Sequence, residues 1–299
     1  MTQSILTGRN PKIETVEQNG RKNWIASQLQ QNGYLHFGFE GATISEKNVS
    51  AFLDRLAFSG TLLRRSINEV CQDFQELSGD FFEYKLKFLQ HLSRQHINIP
   101  WFLVVYTYNY PSNTVASIYV LKLNEKSTPV IGEFTENSAL EDFAQWLQQR
   151  RSMMMTSGFQ GKTHLAPFDE QLRRMNMPWP GNVDGILHSQ KSEGWALIEF
   201  QYTKANSVEK HCNNVYFAPK SGRKGDEQRW IASKMIADSL KLPLIIIVWN
   251  DDPQQGLKLK KVDRVNPLSS PNPGLQYSFK KYYPHHKLDC FFHDLSSLV

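Results

Sequence analysis

The sequence predicts an α/β chain in two parts: a C-terminal half built on a mixed central sheet flanked by helices, and an N-terminal α+β domain. Three observations predict it. Apolar patterning in the second half follows the order helix, strand, strand, helix, strand. In the first half, helical spacing gives way to two β-rich runs and then to helical spacing again. Between them Arg151 to His164, RSMMMTSGFQGKTH, has no clear periodicity, which sets the domains at 1–150 and 151–299.

Taken in order, residues 1 to 32 are polar and read as a loose arm with one short helix near Asn23 to Gln31. Phe52, Leu53 and Leu56, then Leu62, Leu63, Ile67, Val70 and Phe74, then Phe81, Phe82, Leu86 and Leu89 recur at helix spacing, with breaks at Gly60 and Gly79. Three helices are expected there. Ile99 to Tyr110 and Val115 to Leu123 flank Pro111, Ser112 and Asn113, a hairpin signal. Asn137 then caps a helix bearing Leu140, Phe143, Ala144 and Leu147. By its position alone, this domain is expected to select substrate, to form a homodimer or to bind a partner protein.

In the second half, Phe168 to Met177 reads as a short helix ended by Pro178 and Pro180, and it carries Glu170. Val183 to His188 and Trp195 to Tyr202 form a hairpin around the polar turn Ser189 to Gly194. A third strand is expected at Asn214 to Ala218, NVYFA. Asp226 to Leu240 follows as a helix with Ile231, Met235, Ile236 and Leu240 on one face, and Leu242 to Trp249 as a buried strand.

Composition bounds the function. With 40% hydrophobic and 21% charged residues the chain is an ordinary globular one. The apolar run around Leu244 to Trp249 is far shorter than a bilayer span, the N-terminus lacks the apolar core of a signal peptide, and Cys71, Cys212 and Cys290 are scattered. No membrane association is expected, and a reducing, cytoplasmic location is. A net charge of +5 permits nucleic-acid binding. Lys204, Lys210, Lys220, Arg223, Lys224 and Arg229 concentrate that charge, with His211, Tyr216 and Phe217 interleaved, in a pattern suited to tracking phosphates. The bland alternative is a solvated basic loop.

The expected hairpin carries the chemistry. It brings the neighbourhood of Asp184 towards that of Glu199, a carboxylate inside an otherwise apolar strand. A buried carboxylate is costly unless paired or coordinated, and two oxygen ligands at one point suit a hard cation such as Mg²⁺. Strand alternation puts Gln201 on the same face as Glu199. Asp184, fourteen residues, then Glu199-Phe200-Gln201 resembles the PD-(D/E)XK nuclease superfamily with its restriction-endonuclease-like core, here with Gln201 where the family usually has Lys.

The resemblance implies a Mg²⁺-dependent endonuclease, with Mn²⁺ able to substitute, acting on DNA in preference to RNA. It implies that Asp184, Glu199 and the Phe200 carbonyl hold the metal, that Gln201 orients the attacking water and that Glu170 adds a further acid. Lys204, Lys220, Arg223, Lys224, Gln228 and Arg229 are the expected nucleic-acid contacts. Gln201 keeps a second reading open, a catalytically silent nucleic-acid-binding protein on the same fold; a third is an adaptor whose two acids only form hydrogen bonds. The terminal run YSFKKYYPHHKLDCFFHDL suits base stacking and packing equally, and its His285, His286, Cys290 and His293 match no strong zinc motif.

Overall fold

A computed structural model of the chain describes residues 12–13, 23–59, 67–109, 114–123, 130–135, 139–150, 167–175, 180, 183–204, 207–220 and 225–299. Its elements run β1 (Lys12–Ile13), α1 (Asn23–Gln31), β2 (Tyr34–Phe39), β3 (Gly41–Ser45), β4 (Asn48–Ser59), α2 (Ile67–Ser78), α3 (Asp80–Arg94), β5 (Trp101–Asn109), β6 (Thr114–Leu123), β7 (Val130–Thr135) and α4 (Ala139–Gln148). They continue with α5 (Pro167–Arg174), β8 (Val183–Ser189), β9 (Trp195–Tyr202), α6 (Glu227–Ser239), β10 (Leu244–Trp249), β11 (Leu257–Asn266), β12 (Gly274–Tyr283) and α7 (Leu288–Leu298). Among the described residues, no helix is long and apolar enough to cross a membrane.

The chain forms two compact units, and their boundaries differ from the expected break at residues 150 and 151. Unit 1 holds the described residues of Met1–Asn19 and Phe39–Asn182, and unit 2 those of Gly20–Gly38 and Val183–Val299. Packing explains the shift. Phe168 and Leu172 of α5 enter the unit 1 core, where the Phe168 ring stacks on Tyr106 at 4.2 Å. Ile25, Leu29 and Tyr34 instead belong to the unit 2 core. The expected linker, including Met153, Met154 and Met155, lies outside the described residues.

In unit 1 a sheet of order β1-β4-β5-β6-β7, with β3 also on β4, supports its helices. The expected helix over Phe52, Leu53 and Leu56 is instead β4. Every residue from Ala51 to Ala57 is buried, and a strand covered on both faces loses the alternation that marks a half-buried one. The other two expected helices correspond to α2 and α3, separated by Gly79 at φ 52°; Gly60, Leu62 and Leu63 lie outside the described residues. β5 and β6 pair antiparallel, as a hairpin requires, and the helix expected after Asn137 is α4.

Unit 2 is built on a six-stranded mixed sheet of order β12-β11-β10-β9-β8-β2. β8 and β9 are antiparallel, β9 and β10 parallel with α6 as their crossover, and β10, β11 and β12 antiparallel. One face buries Ile198, Ile245, Ile247 and Leu259 against Ile25 and Leu29 of α1 and Phe291 and Leu295 of α7. Alternation sends Glu199, Ile246, Lys258 and Lys260 to the other face, where α6 packs.

The segment Asn214 to Ala218 is not the expected strand: Asn213–Tyr216 is a turn of 3₁₀ helix. The Asn214 side chain explains it, accepting from Leu275 N at 2.9 Å and donating to Leu275 O at 3.5 Å, bonds that anchor the segment to β12. The sheet takes its further strand from β2, far upstream in the chain. Likewise the basic and aromatic terminal stretch is ordered structure, β12 followed by α7.

Candidate functional site

The hairpin β8–β9 sets the site. Its register pairs Ile186 with Leu197, Leu187 with Ala196 and His188 with Trp195. Asp184 lies two residues before Ile186 and Glu199 two residues after Leu197, so both positions fall just beyond the paired part of the hairpin, at the same end of it. The Asp184 side chain lies outside the described residues. Gly185, between Asp184 and Ile186, allows the close approach: a Cβ there would stand 2.1 Å from His36 Nε2 and 2.6 Å from Ile198 Cγ2. Gln201 is half-buried on the Glu199 face, and Phe200 points to the other, its ring edge-on to His36 at 5.0 Å.

Glu199 is 4% exposed, so its charge needs partners. α6 supplies two, one helical turn apart. Arg229 Nη2 donates to Glu199 Oε2, and Ser233 Oγ donates to Oε1 at 3.0 Å. Ser233 is buried, while the Arg229 side chain keeps 44% of its surface. An i, i+4 pair shares one helix face, which is why Arg229 and Ser233 reach one carboxylate.

Among the described residues, no group of three or more His, Cys, Asp or Glu side chains could hold a metal ion. The donors that β9 itself supplies there are oxygens, the Glu199 carboxylate and the Phe200 carbonyl. That chemistry fits Mg²⁺ or Mn²⁺, which take one or two protein carboxylates and fill the rest of the shell with water and phosphate. Arg229 holds the carboxylate oxygen such an ion would use.

Two strands away, the same sheet face is cationic. Across the sheet Glu199 pairs with Ile246 and Ile246 with Lys260, while Gln201 pairs with Val248 and Val248 with Lys258. At strand spacing this is a backbone separation of about 10 Å. Lys260 is fully buried and Lys258 nearly so. Lys258 Nζ donates to Glu209 O and, at 3.2 Å, to His211 O. Lys260 Nζ donates to Asn213 Oδ1, lies 3.3 Å from His211 Nδ1 and sits 5.4 Å from the centre of the Tyr277 ring.

These partners are neutral, and the charges feel it. Burial, reinforced by Lys258 and Lys280, lowers the Lys260 ammonium to about 7. Burial, then Lys260 and Lys258, holds His211 down to about 4. Burial pushes the Tyr277 hydroxyl up, and the nearby Cys212 adds to that.

Other expected site residues are distributed differently. Lys204, Lys220 and Gln228 are exposed, and Arg223 and Lys224 lie outside the described residues. Glu170 belongs to α5 in unit 1, exposed and paired with Arg174 at 2.6 Å. Arg229, expected on phosphate, is on Glu199. Tyr283 is buried with its hydroxyl on Asp294, a packing role, whereas Tyr282 is half-buried.

Sequence reasoning places His211 only among the phosphate-tracking loop residues, and it misses Ser233, Lys258, Lys260 and Asn213 as parts of this face. The run LKLKK alternates as a half-exposed strand would, and nothing local tells that the 207–217 segment and α6 cover its polar face. Comparison with protein-family models, with curated proteins and with solved structures gave no match.

Proposed function

We propose that unit 2 carries a metal-dependent nuclease site of the PD-(D/E)XK type, which hydrolyses phosphodiester bonds in DNA. The observation that carries this reading is the order α1, β2, β8, β9, α6, β10 in one unit: a helix, a strand, an antiparallel hairpin, a crossover helix and a strand parallel to the one bearing Glu199. The hairpin, crossover helix and parallel strand are those the resemblance implies; the preceding helix and the further strand come from α1 and β2, in place of Phe168 to Met177 and Asn214 to Ala218.

In this reading Asp184, Glu199 and the Phe200 carbonyl hold Mg²⁺, or Mn²⁺ in its place. A bound divalent ion supplies a water of lowered pKa and offsets charge developing on the phosphate. Ser233 fixes one oxygen of Glu199. Gln201, on the same strand face, orients the attacking water through its amide. Lys204, Lys220 and Gln228 hold the sugar-phosphate backbone from the exposed rim, and unit 1 selects substrate or a second copy of the chain.

A second reading, a catalytically silent nucleic-acid binder, is favoured by one observation: the Arg229 guanidinium already neutralises Glu199, beside a Gln in the lysine position. Purified protein incubated with supercoiled, linear and single-stranded DNA and with RNA, in Mg²⁺, Mn²⁺ or EDTA, separates the two. Metal-dependent cleavage of DNA that Glu199→Gln abolishes is the expected result. Binding without cleavage in either metal selects the silent binder.

A further inference from the structure

We propose that Arg229 is an exchangeable counter-ion that makes phosphate binding and metal binding cooperative at Glu199. The inference rests on the nuclease reading above and deepens it.

Both oxygens of Glu199 have partners, Arg229 on Oε2 and Ser233 on Oε1. The two partners differ in what holds them. Ser233 is buried in the face of α6, whereas 44% of the Arg229 side chain is exposed, with its guanidinium 5.4 Å from the Trp230 ring centre. The exposed guanidinium is therefore the partner that exchanges, and the buried serine the one that stays. Lys258 and Lys260 are committed elsewhere, to Glu209, His211 and Asn213.

A divalent ion at Glu199 competes with the guanidinium for one oxygen, and their like charges repel at close range. A phosphate resolves the conflict. Its paired oxygens match the guanidinium fork in bidentate geometry, so an arriving phosphodiester draws Arg229 off Oε2 and frees that oxygen for the metal. Ser233 stays and keeps the carboxylate in place. Because coupling is reciprocal, DNA tightens metal binding and metal tightens DNA binding by the same factor. Without nucleic acid, Arg229 keeps the acid neutralised and the metal weakly held.

The test measures Mn²⁺ affinity by electron paramagnetic resonance at pH 8 for the parent, Arg229→Gln and Ser233→Ala, each alone, with a phosphorothioate duplex that resists cleavage, and with a methylphosphonate duplex that lacks backbone charge. Thermal melts establish that each variant folds, and Arg229→Lys serves as a second variant that keeps the charge.

Arg229→Gln alone is expected to bind Mn²⁺ about tenfold more tightly than the parent, in the range usual for coupled sites. The charged duplex tightens Mn²⁺ on the parent and adds nothing in Arg229→Gln, the uncharged duplex does neither, and Arg229→Lys stays near the parent. Ser233→Ala, which removes no charge, shows no such gain. Equal Mn²⁺ affinity in parent and Arg229→Gln overturns the counter-ion role and leaves the nuclease reading standing if the parent cuts DNA. Tighter Mn²⁺ in Arg229→Gln with a parent that cuts nothing keeps the coupling and removes the nuclease. No Mn²⁺ on either protein removes both.

Discussion

Buried charge is handled differently in the two units: in unit 1 both members of each pair are buried, whereas in unit 2 the acid's partner is half-exposed and two buried lysines have only neutral partners. In unit 1 the buried groups bond one another: Lys85 Nζ donates to Asp54 at 2.7 Å, Trp101 Nε1 to the same carboxylate oxygen at 2.8 Å, and Arg55 Nε to the carboxyl of Glu40 at 2.8 Å. The Glu40 backbone N–H closes the group on Asp54 at 3.3 Å. In unit 2 Glu199 on β9 is paired with the half-exposed Arg229 of α6, whereas Lys258 and Lys260 on β11 bond neutral groups. Neither lysine has a carboxylate within ion-pair distance among the described residues. The Asp54 group of unit 1 gathers its partners from within the protein and serves the fold. In the proposed function the acid is the place for a cation, whereas the two lysines, about 10 Å away, are committed to the 207–213 segment.

The largest expected effect breaks the Asp54 group. Asp54→Ala strands the Lys85 ammonium and the Trp101 N–H in the core, and removing one partner of a buried pair costs about 3–5 kcal/mol. Urea unfolding followed by tryptophan fluorescence measures it. A loss below about 1 kcal/mol, the worth of an exposed pair, would show the group to be solvated and the contrast between the units to be wrong.

Next comes pH, where the units should respond with opposite sign. Lys260 is lowered from its ordinary value to about 7, with Lys258, Lys280, Cys212, His211 and Tyr277 around it. Between about 7 and 10.5 the unfolded chain binds the proton and the folded chain does not, so the lysine's contribution to stability rises with pH. Glu40 is raised to about 8 by burial, with Asp54 adding to it and Arg55 opposing it. Between about 4.5 and 8 the folded chain holds the proton, so its contribution falls as pH rises.

Relative to Lys260→Met the parent should therefore gain up to about 1.4 kcal/mol per pH unit from pH 7 to 10, and relative to Glu40→Gln it should lose at up to that rate from pH 5 to 8. Urea melts across each range read both slopes, whatever constant offset each substitution adds. Two slopes of one sign would remove the distinction.

How much of this was legible in the sequence follows from the same physics. α1, the β5–β6 and β8–β9 hairpins, α6 and β10 are each half-exposed or bounded by clear turn residues, so their periodicity or their ends betray them. β4 is covered on both faces, and its Phe52, Leu53 and Leu56 imitate a helix. The strand that joins β8 in the sheet is Tyr34–Phe39, separated from it by nearly all of unit 1, whereas a reader of neighbouring residues looks to NVYFA. At the site, Glu199 stood out because a charge in an apolar strand demands a reason. Arg229 stood out only as a phosphate contact and Ser233 not at all, because a charge and a hydroxyl on a helix are ordinary until a carboxylate faces them. Asp54 and Arg55 carried the same signal as Glu199 and passed unremarked inside a misassigned helix.

The smallest expected effect tests whether the cationic side of unit 2 reaches solvent as a phosphate track. Lys260 and Lys258 are buried and bonded to the 207–213 segment, so they set the local potential without touching a ligand directly. Lys220, exposed beyond that segment, is placed to make contact. If Lys220 neutralises one phosphate of bound duplex, then Lys220→Ala should lower the slope of log affinity against log salt by about 0.9 and weaken binding similarly across DNA sequences. Fluorescence anisotropy with a labelled duplex, in Ca²⁺ or EDTA and at several salt concentrations, reads the slope. Lys87→Ala, a lysine exposed on α3 of unit 1, serves as the control and should leave the slope unchanged. A slope that Lys220→Ala leaves alone returns the segment to an ordinary solvated loop. A slope that falls equally in both variants makes the attraction a property of net charge, and the open face of unit 2 would then lose its claim to a particular ligand.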